Sequence, residues 1–178
     1  ILSLPINFEI STGSSKVTLI EKKPKSKTLS PTLSLCMIVK NEEVFLPRCL
    51  ESVKNHVEEI VIVDTGSTDR TVEIAKSYDA NIYHHAWENS FCKARNYSLT
   101  YATCDWILIL DADEEIDKED AHKLKEVIKD CEVNVYHLPL ICKPLGGRNS
   151  SISRSIRLFR NHLGFHYEGI VHNVLEYK

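Results

Sequence analysis

The chain has 178 residues, of which 43% are hydrophobic and 26% charged, and its formal net charge is −3 at pH 7. Those figures describe an ordinary globular chain, long enough to bury a core. They supply no global basic field for nucleic acid, and no apolar run approaches the roughly 20 residues that cross a bilayer.

Residues 1–30 read as an N-terminal extension and linker. Ile1–Ile10 carries Pro5, Asn7 and Glu9 and no basic start, so it does not read as a signal peptide. The first residue is not Met, which points to a piece of a longer protein. Val17–Ile20 suits a short strand. Lys22, Lys23, Lys25 and Lys27 follow, with Pro24 and Pro31 and no apolar period, the pattern of a solvated linker. The six cysteines (Cys36, Cys49, Cys92, Cys104, Cys131 and Cys142) are scattered and form no Cys-x-x-Cys pair. They read as small buried thiols of a reducing, cytoplasmic compartment, not as a zinc site or a disulfide framework.

From Leu33 onward the pattern is regular. Leu33–Val39 is nearly continuous apolar sequence, as expected of a strand buried on both faces. Leu46, Cys49, Leu50 and Val53 then recur at helical spacing, and Glu42 and Glu43 favour the positive end of that helix. Glu59–Val63 is a second buried strand, ending at Asp64. In Thr65-Gly66-Ser67-Thr68-Asp69, Gly66 permits a sharp turn and the polar side chains can cap a helix over Arg70–Tyr78. Free N–H groups at such a turn suit an anion, although the glycines and lysine of a Walker loop or a dinucleotide fingerprint are missing. Asn81–Trp87 predicts a third strand. Phe91 to Thr103 predicts a helix with Phe91, Ala94, Leu99 and Ala102 inward and Lys93, Arg95 and Asn96 polar.

The apolar run Ile107–Leu110 breaks into Asp111-Ala112-Asp113-Glu114-Glu115. On an extended chain Asp111 and Asp113 share one face. Ligands of open α/β sheets bind just outside the carboxyl ends of the strands, where carboxylates can hold a divalent cation and, through it, phosphate oxygens. The plainer alternative is a solvated loop, with Asp117 capping a helix over Lys118–Lys129. A calcium loop is excluded, because Ile116 stands where Gly is needed and His122 where a bidentate Glu is needed. Val133–Cys142 and Ser153–Arg160 then alternate as antiparallel strands, joined through Pro144, Gly146, Gly147 and Asn149. The last apolar segment, Phe165–Asn173, contains Gly169 and His172. Strands alternating with helices and then with each other define the α/β class. A mainly parallel sheet is flanked by helices, with antiparallel strands in the C-terminal third.

Five segments stand in order: Cys36–Glu43 (CMIVKNEE), Val63–Asp69 (VDTGSTD), Phe91–Asn96 (FCKARN), Leu110–Glu114 (LDADE) and Gly169–His172 (GIVH). Together they resemble the family 2 glycosyltransferases, nucleotide-sugar transferases of the Rossmann-like GT-A fold. The likeness is to the bacterial branch of lipopolysaccharide-core and peptide glycosyltransferases, and runs from about Leu33 to His172. It implies that residues 31–178 form a GT-A-like catalytic domain, C-terminally incomplete. It implies a nucleoside-diphosphate-sugar donor, with a UDP-sugar favoured, a glycan, lipid-linked or peptide acceptor, and Mn²⁺ or Mg²⁺.

Carried across residue by residue, Asn41 and Glu42 border the nucleobase, and Asp64 and Thr65 contact base and ribose. Arg95 and Asn96 line the nucleotide pocket. Asp111 and Asp113 match the Asp-x-Asp signature, with Asp113 the direct metal ligand, Asp111 on the ribose or the metal, and His172 facing both metal and diphosphate. Many relatives have Asp where Thr65 stands and Glu where Asn173 stands, so any role of those two carboxylates is missing here. The acceptor hydroxyl or thiol would attack the anomeric carbon with inversion, which calls for a general base; Glu115 and Glu168 are the candidates. The competing reading is a truncated or non-catalytic domain that binds a nucleotide or a partner. A nucleotidyltransferase is disfavoured, because Lys40-Asn41-Glu42 is no glycine-rich loop.

Overall fold

In a computed structural model, residues 2–4, 30–142, 151–169 and 173–177 are described. The elements in chain order begin with β1 (Leu2–Leu4), β2 (Leu33–Val39), α1 (Leu46–Val53), β3 (Glu59–Asp64), α2 (Thr71–Ser77), β4 (Asn81–His84) and α3 (Phe91–Leu99). They continue with β5 (Trp106–Ile109), β6 (Glu114–Ile116), α4 (Lys123–Val127), β7 (Val135–Cys142), β8 (Ser151–Arg160), β9 (Phe165–Glu168) and β10 (Val174–Tyr177). One eight-stranded sheet runs β4-β3-β2-β5-β8-β7-β1-β6, and β9 and β10 form a separate hairpin pair. Strands β4, β3, β2 and β5 are parallel; β8 is antiparallel to both β5 and β7. Among the described residues no helix is long and apolar enough to cross a membrane.

The continuous apolar runs serve two cores at once. Alternate residues of a strand face opposite sides. Leu33, Leu35, Met37, Ile60, Ile62, Trp106 and Leu108 therefore fill one layer with α1, while Cys36, Val61, Ile107 and Ile109 fill the other. The helix α1 has eight residues, too few to be stable alone. It is held by burial of Leu46, Cys49, Leu50 and Val53, and Pro47 sits in its first turn, where the missing N–H costs nothing. On the second face α3 packs through Ala94 and Ser98, the carbonyl of Ser98 accepting the thiol of Cys36 at 3.8 Å.

Several expectations are corrected at their ends. The third strand stops at His84 instead of Trp87. Helix α3 stops at Leu99 instead of Thr103, because the chain must turn back into β5; the N–H of Thr103 is held by the Glu59 carboxylate at 2.8 Å. The helix expected over Lys118–Lys129 is reduced to α4, preceded by turns in which Asp117 accepts the N–H of Glu119 at 3.0 Å. The acidic run is itself partly a strand, since Glu114 and Ile116 are buried and β6 pairs in parallel with β1. Leu2–Leu4 thus belongs to the sheet, although it falls in the segment expected to be an extension. The strand expected at Val17–Ile20 and the loop with Pro144, Gly146, Gly147 and Asn149 lie outside the described residues.

Candidate active site

A cleft of about 470 Å³ opens at the carboxyl ends of β2, β3 and β5, where an open α/β sheet binds its ligands. Ile38, Val39, Lys40 and Glu42 form one wall, with Phe45 from the approach to α1 and Thr65 beyond β3. Trp87, Phe91 and Arg95 form the facing wall, and Asp111, Ala112 and Asp113 the floor. The rings of Trp87 and Phe91 meet edge to face with centroids 4.9 Å apart. A larger, more polar groove of about 860 Å³ opens at the opposite ends of the strands, around Lys54, Glu58, Glu59 and Thr103. It lies away from the acidic turn and from the strand ends that bind ligands in such sheets.

The two aspartates of the floor differ in their surroundings. Asp111 is half-buried; its Oδ1 accepts from Arg95 Nη2 at 2.6 Å, and its Oδ2 from Arg157 Nη1 and Nη2 at 3.3 Å each. Burial pushes its carboxyl up, but the charges of Arg95 and Arg157 outweigh that and hold it below the usual carboxylate range. Glu114 is buried beside it, accepting the N–H of Asp111 at 2.9 Å and Arg157 Nη2 at 2.6 Å. Burial pushes Glu114 up to about 7 against the opposing pull of Arg157, and Asp111 adds to the rise. Asp113 is exposed at the cleft and has no hydrogen bond or ion pair among the described residues. Across from it, burial and then the negative charge of Asp113 raise the carboxyl of Glu42.

The other expected residues divide by what already occupies their polar atoms. Asn41 is at φ 56°, and its Oδ1 accepts the N–H of Thr68 at 2.8 Å, which ties the end of β2 to the turn after β3. Asp64 is buried and accepts the N–H groups of Gly66 (3.3 Å) and Ser67 (3.1 Å), with His84 Nδ1 at 3.2 Å. Neither Asn41 nor Asp64 lines the cleft, whereas Glu42 and Thr65 do. The amide of Asn96 bonds the backbone of Tyr167 in both directions, at 2.6 and 2.8 Å. It thereby straps β9 to α3 and sets the Tyr167 ring 5.6 Å from the Arg95 guanidinium. Glu115 pairs with Arg48 at 3.1 Å in a different groove, and Glu168 pairs with His166 at 3.0 Å. His172 lies outside the described residues.

Arg157, Glu114, Lys40, Trp87 and Phe91 are residues of the site that the sequence pattern did not single out. For Arg157 a signal existed. It shares a strand face with Phe159, which is buried in the second core layer, so that face is no solvent face.

Among the described residues no group of three or more His, Cys, Asp or Glu side chains could hold a metal ion. Asp113 nonetheless offers hard carboxylate oxygens that make no hydrogen bond or ion pair among the described residues. Such a donor suits Mg²⁺ or Mn²⁺ taken up through one or two carboxylates together with substrate phosphates. On the facing wall, the Nε–H of Arg95 is buried without a partner among the described residues, an orphaned donor of the kind an anion satisfies.

Known proteins are similar to this chain. A TPR repeat-containing protein of Synechococcus elongatus is 39% identical over 144 residues, covering 81% of this chain and 35% of that protein. The SPbeta prophage-derived glycosyltransferase SunS of Bacillus subtilis is 39% identical over 119 residues, covering 62% of this chain and 28% of SunS. The chain thus spans about a third of the length of such relatives. Among solved structures, S. aureus TarS (residues 1–349) superposes with a TM-score of 0.51 at 26% identity, over 66% of this chain and 37% of that one. The model of Glycosyl transferase family 2 matches residues 34–173, and the chain belongs to that family.

Proposed function

We propose that this domain transfers a sugar from a nucleoside-diphosphate sugar to an acceptor hydroxyl or thiol, inverting the anomeric carbon with the help of Mn²⁺ or Mg²⁺. One observation carries the reading beyond family membership: a cleft at the strand ends is lined both by a carboxylate (Asp113) and by an arginine with a buried Nε–H (Arg95) that have no hydrogen-bond partner among the described residues. A divalent ion on Asp113, with His172 as a further ligand, would act as a Lewis acid on the departing diphosphate. The chain's own contribution is positional. Arg95 presents a fixed positive charge where negative charge grows, at no cost of reorganisation during the reaction. Trp87, Phe91 and Phe45 give the cleft apolar walls for the base and sugar faces, with a uridine donor favoured. Asp111, Glu42 and Thr65 lie within reach of the nucleotide, while Asn41, Asp64 and Asn96 shape its walls.

For the acceptor proton this reading assigns Glu168 over Glu115. The Glu168 side chain is the more exposed, 64% against 22%, and its strand β9 is strapped to α3 next to Arg95. In this reading residues 31–178 are the donor-binding catalytic unit. The acceptor is a glycan, a lipid-linked sugar or a peptide, and the reaction is placed in the cytoplasm.

Thermal unfolding with UDP, with and without Mn²⁺, tests the reading. A ligand at a hundred times its Kd stabilises the native state by about 2.7 kcal/mol, so UDP with Mn²⁺ should raise the midpoint by several degrees and UDP alone should not. No shift with any nucleoside diphosphate plus metal overturns it.

A further inference from the structure

Arg157 has no task in the transfer chemistry above, yet its guanidinium sits at the centre of the acidic turn. The register explains how it gets there. β8 runs antiparallel to β5 with Leu158 opposite Leu108, so the residue before Leu158 lies alongside the residues that follow Leu108. Arg157 is buried there, and one rigid planar fork bridges the carboxylates of Asp111 and Glu114. Glu114 accepts the N–H of Asp111 in return, and Arg95 holds the other oxygen of Asp111. Both oxygens of Asp111 are thus committed to arginines from two different elements, while Asp113, two residues on, has no partner among the described residues.

We infer that Arg157 is a positioning residue: it locks Asp111 and the turn after β5 so that Asp113 is the carboxylate presented to the metal and diphosphate. The inference rests on the donor-site reading. It makes the Asp-x-Asp pair asymmetric, with one aspartate a clamped anchor and the other the ligand. It also places the lock at an irregularity of β8: Leu158 stands opposite Tyr136 and Ile156 opposite His137, so Arg157 falls at a shift of register, the kind of bulge that re-aims a side chain.

The test is Mn²⁺ affinity in the presence of UDP, read from the free-Mn²⁺ EPR signal, with the thermal midpoint measured alongside. Arg157→Met with Glu114→Gln removes both buried charges, so none is left unpaired, and Gln keeps an oxygen for the Asp111 N–H. The expected result is a midpoint within a few degrees of wild type and an Mn²⁺ affinity about tenfold lower, the usual loss when a group orienting a metal ligand is removed. Arg157→Lys, which keeps the charge and loses the fork, should fall between. An unchanged affinity in the folded double variant overturns the inference. If the double variant does not fold, Arg157→Lys decides: lost affinity supports the lock, unchanged affinity ends it. Wild-type protein that shows no Mn²⁺-dependent UDP binding would instead remove the donor-site reading itself.

Discussion

Two polar rims flank the cleft at the same end of the sheet, and they are built in opposite ways. At the ends of β2 and β3 the polar groups satisfy one another, short side chains of one turn holding backbone N–H groups of the other. Ser67 Oγ accepts the N–H of Asn41, Thr71 Oγ1 that of Glu42 and Asp69 Oδ2 that of Glu43, while Glu43 accepts the N–H of Arg70. At the end of β5 the partners are long arginine side chains from α3 and β8. Arg95 and Arg157 occupy both oxygens of Asp111, and Asp113 has no partner among the described residues. The first rim is a closed lattice of short side chains with little capacity to spare. The second keeps charge in reserve. Polarity at a strand end is therefore weak evidence of ligand binding; unspent hydrogen-bonding capacity is stronger evidence.

The largest effect should come from removing what the second rim holds in reserve. Asp113→Ala takes away an exposed side chain with no partner among the described residues, so the midpoint should move by no more than about 0.5 kcal/mol of stability. Metal-assisted transfer, or slow hydrolysis of the donor sugar nucleotide, should fall by about a thousandfold, since charge neutralisation by the ion is worth several kcal/mol in the transition state. Full activity in this variant would erase the distinction between the rims.

Much of this was legible before the structure. The runs Leu33–Val39, Glu59–Val63 and Ile107–Leu110 announce strands buried on both sides, and all three form adjacent parallel strands with the acidic turn at the expected end. The state of each polar side chain was not legible. Asn41 and Asp113 look alike in a motif, and only the fold shows that the Asn41 oxygen is spent on Thr68 while the Asp113 carboxylate has no partner among the described residues. Arg157 was hidden for the same reason, since its partners are set by a strand register between segments some 50 residues apart. The short β6 was missed because its pairing partner, Leu2–Leu4, lies more than a hundred residues away in the sequence.

An intermediate effect tests the closed rim. Asn41 is at φ 56°, where a residue with a Cβ is strained by about 1–2 kcal/mol unless it is Asn or Asp. Asn41→Ala should lose that tolerance together with the bond to the Thr68 N–H, costing about 2 kcal/mol in chemical denaturation. Asn41→Gly keeps the conformation and loses only the bond, so it should cost about 1 kcal/mol. If the Gly variant costs as much as the Ala variant, backbone strain plays no part and the bond to Thr68 alone holds the rim.

The smallest effect is expected at Glu115, and it separates the two candidate bases. Glu115 faces Arg48 in a groove of its own, outside the cleft, as a partly exposed pair. Pairs of that kind contribute about 0–1 kcal/mol to stability. Glu115→Gln should therefore leave both stability and transfer within about threefold of wild type. Glu168→Gln should lower transfer to an acceptor by about a hundredfold, the ordinary contribution of a general base. Metal-dependent donor binding should survive in both variants, because neither side chain lines the cleft. If the losses are reversed, the groove beside Arg48 is where the acceptor's proton leaves, and the working face of the molecule extends past β5 to the far side of the acidic turn.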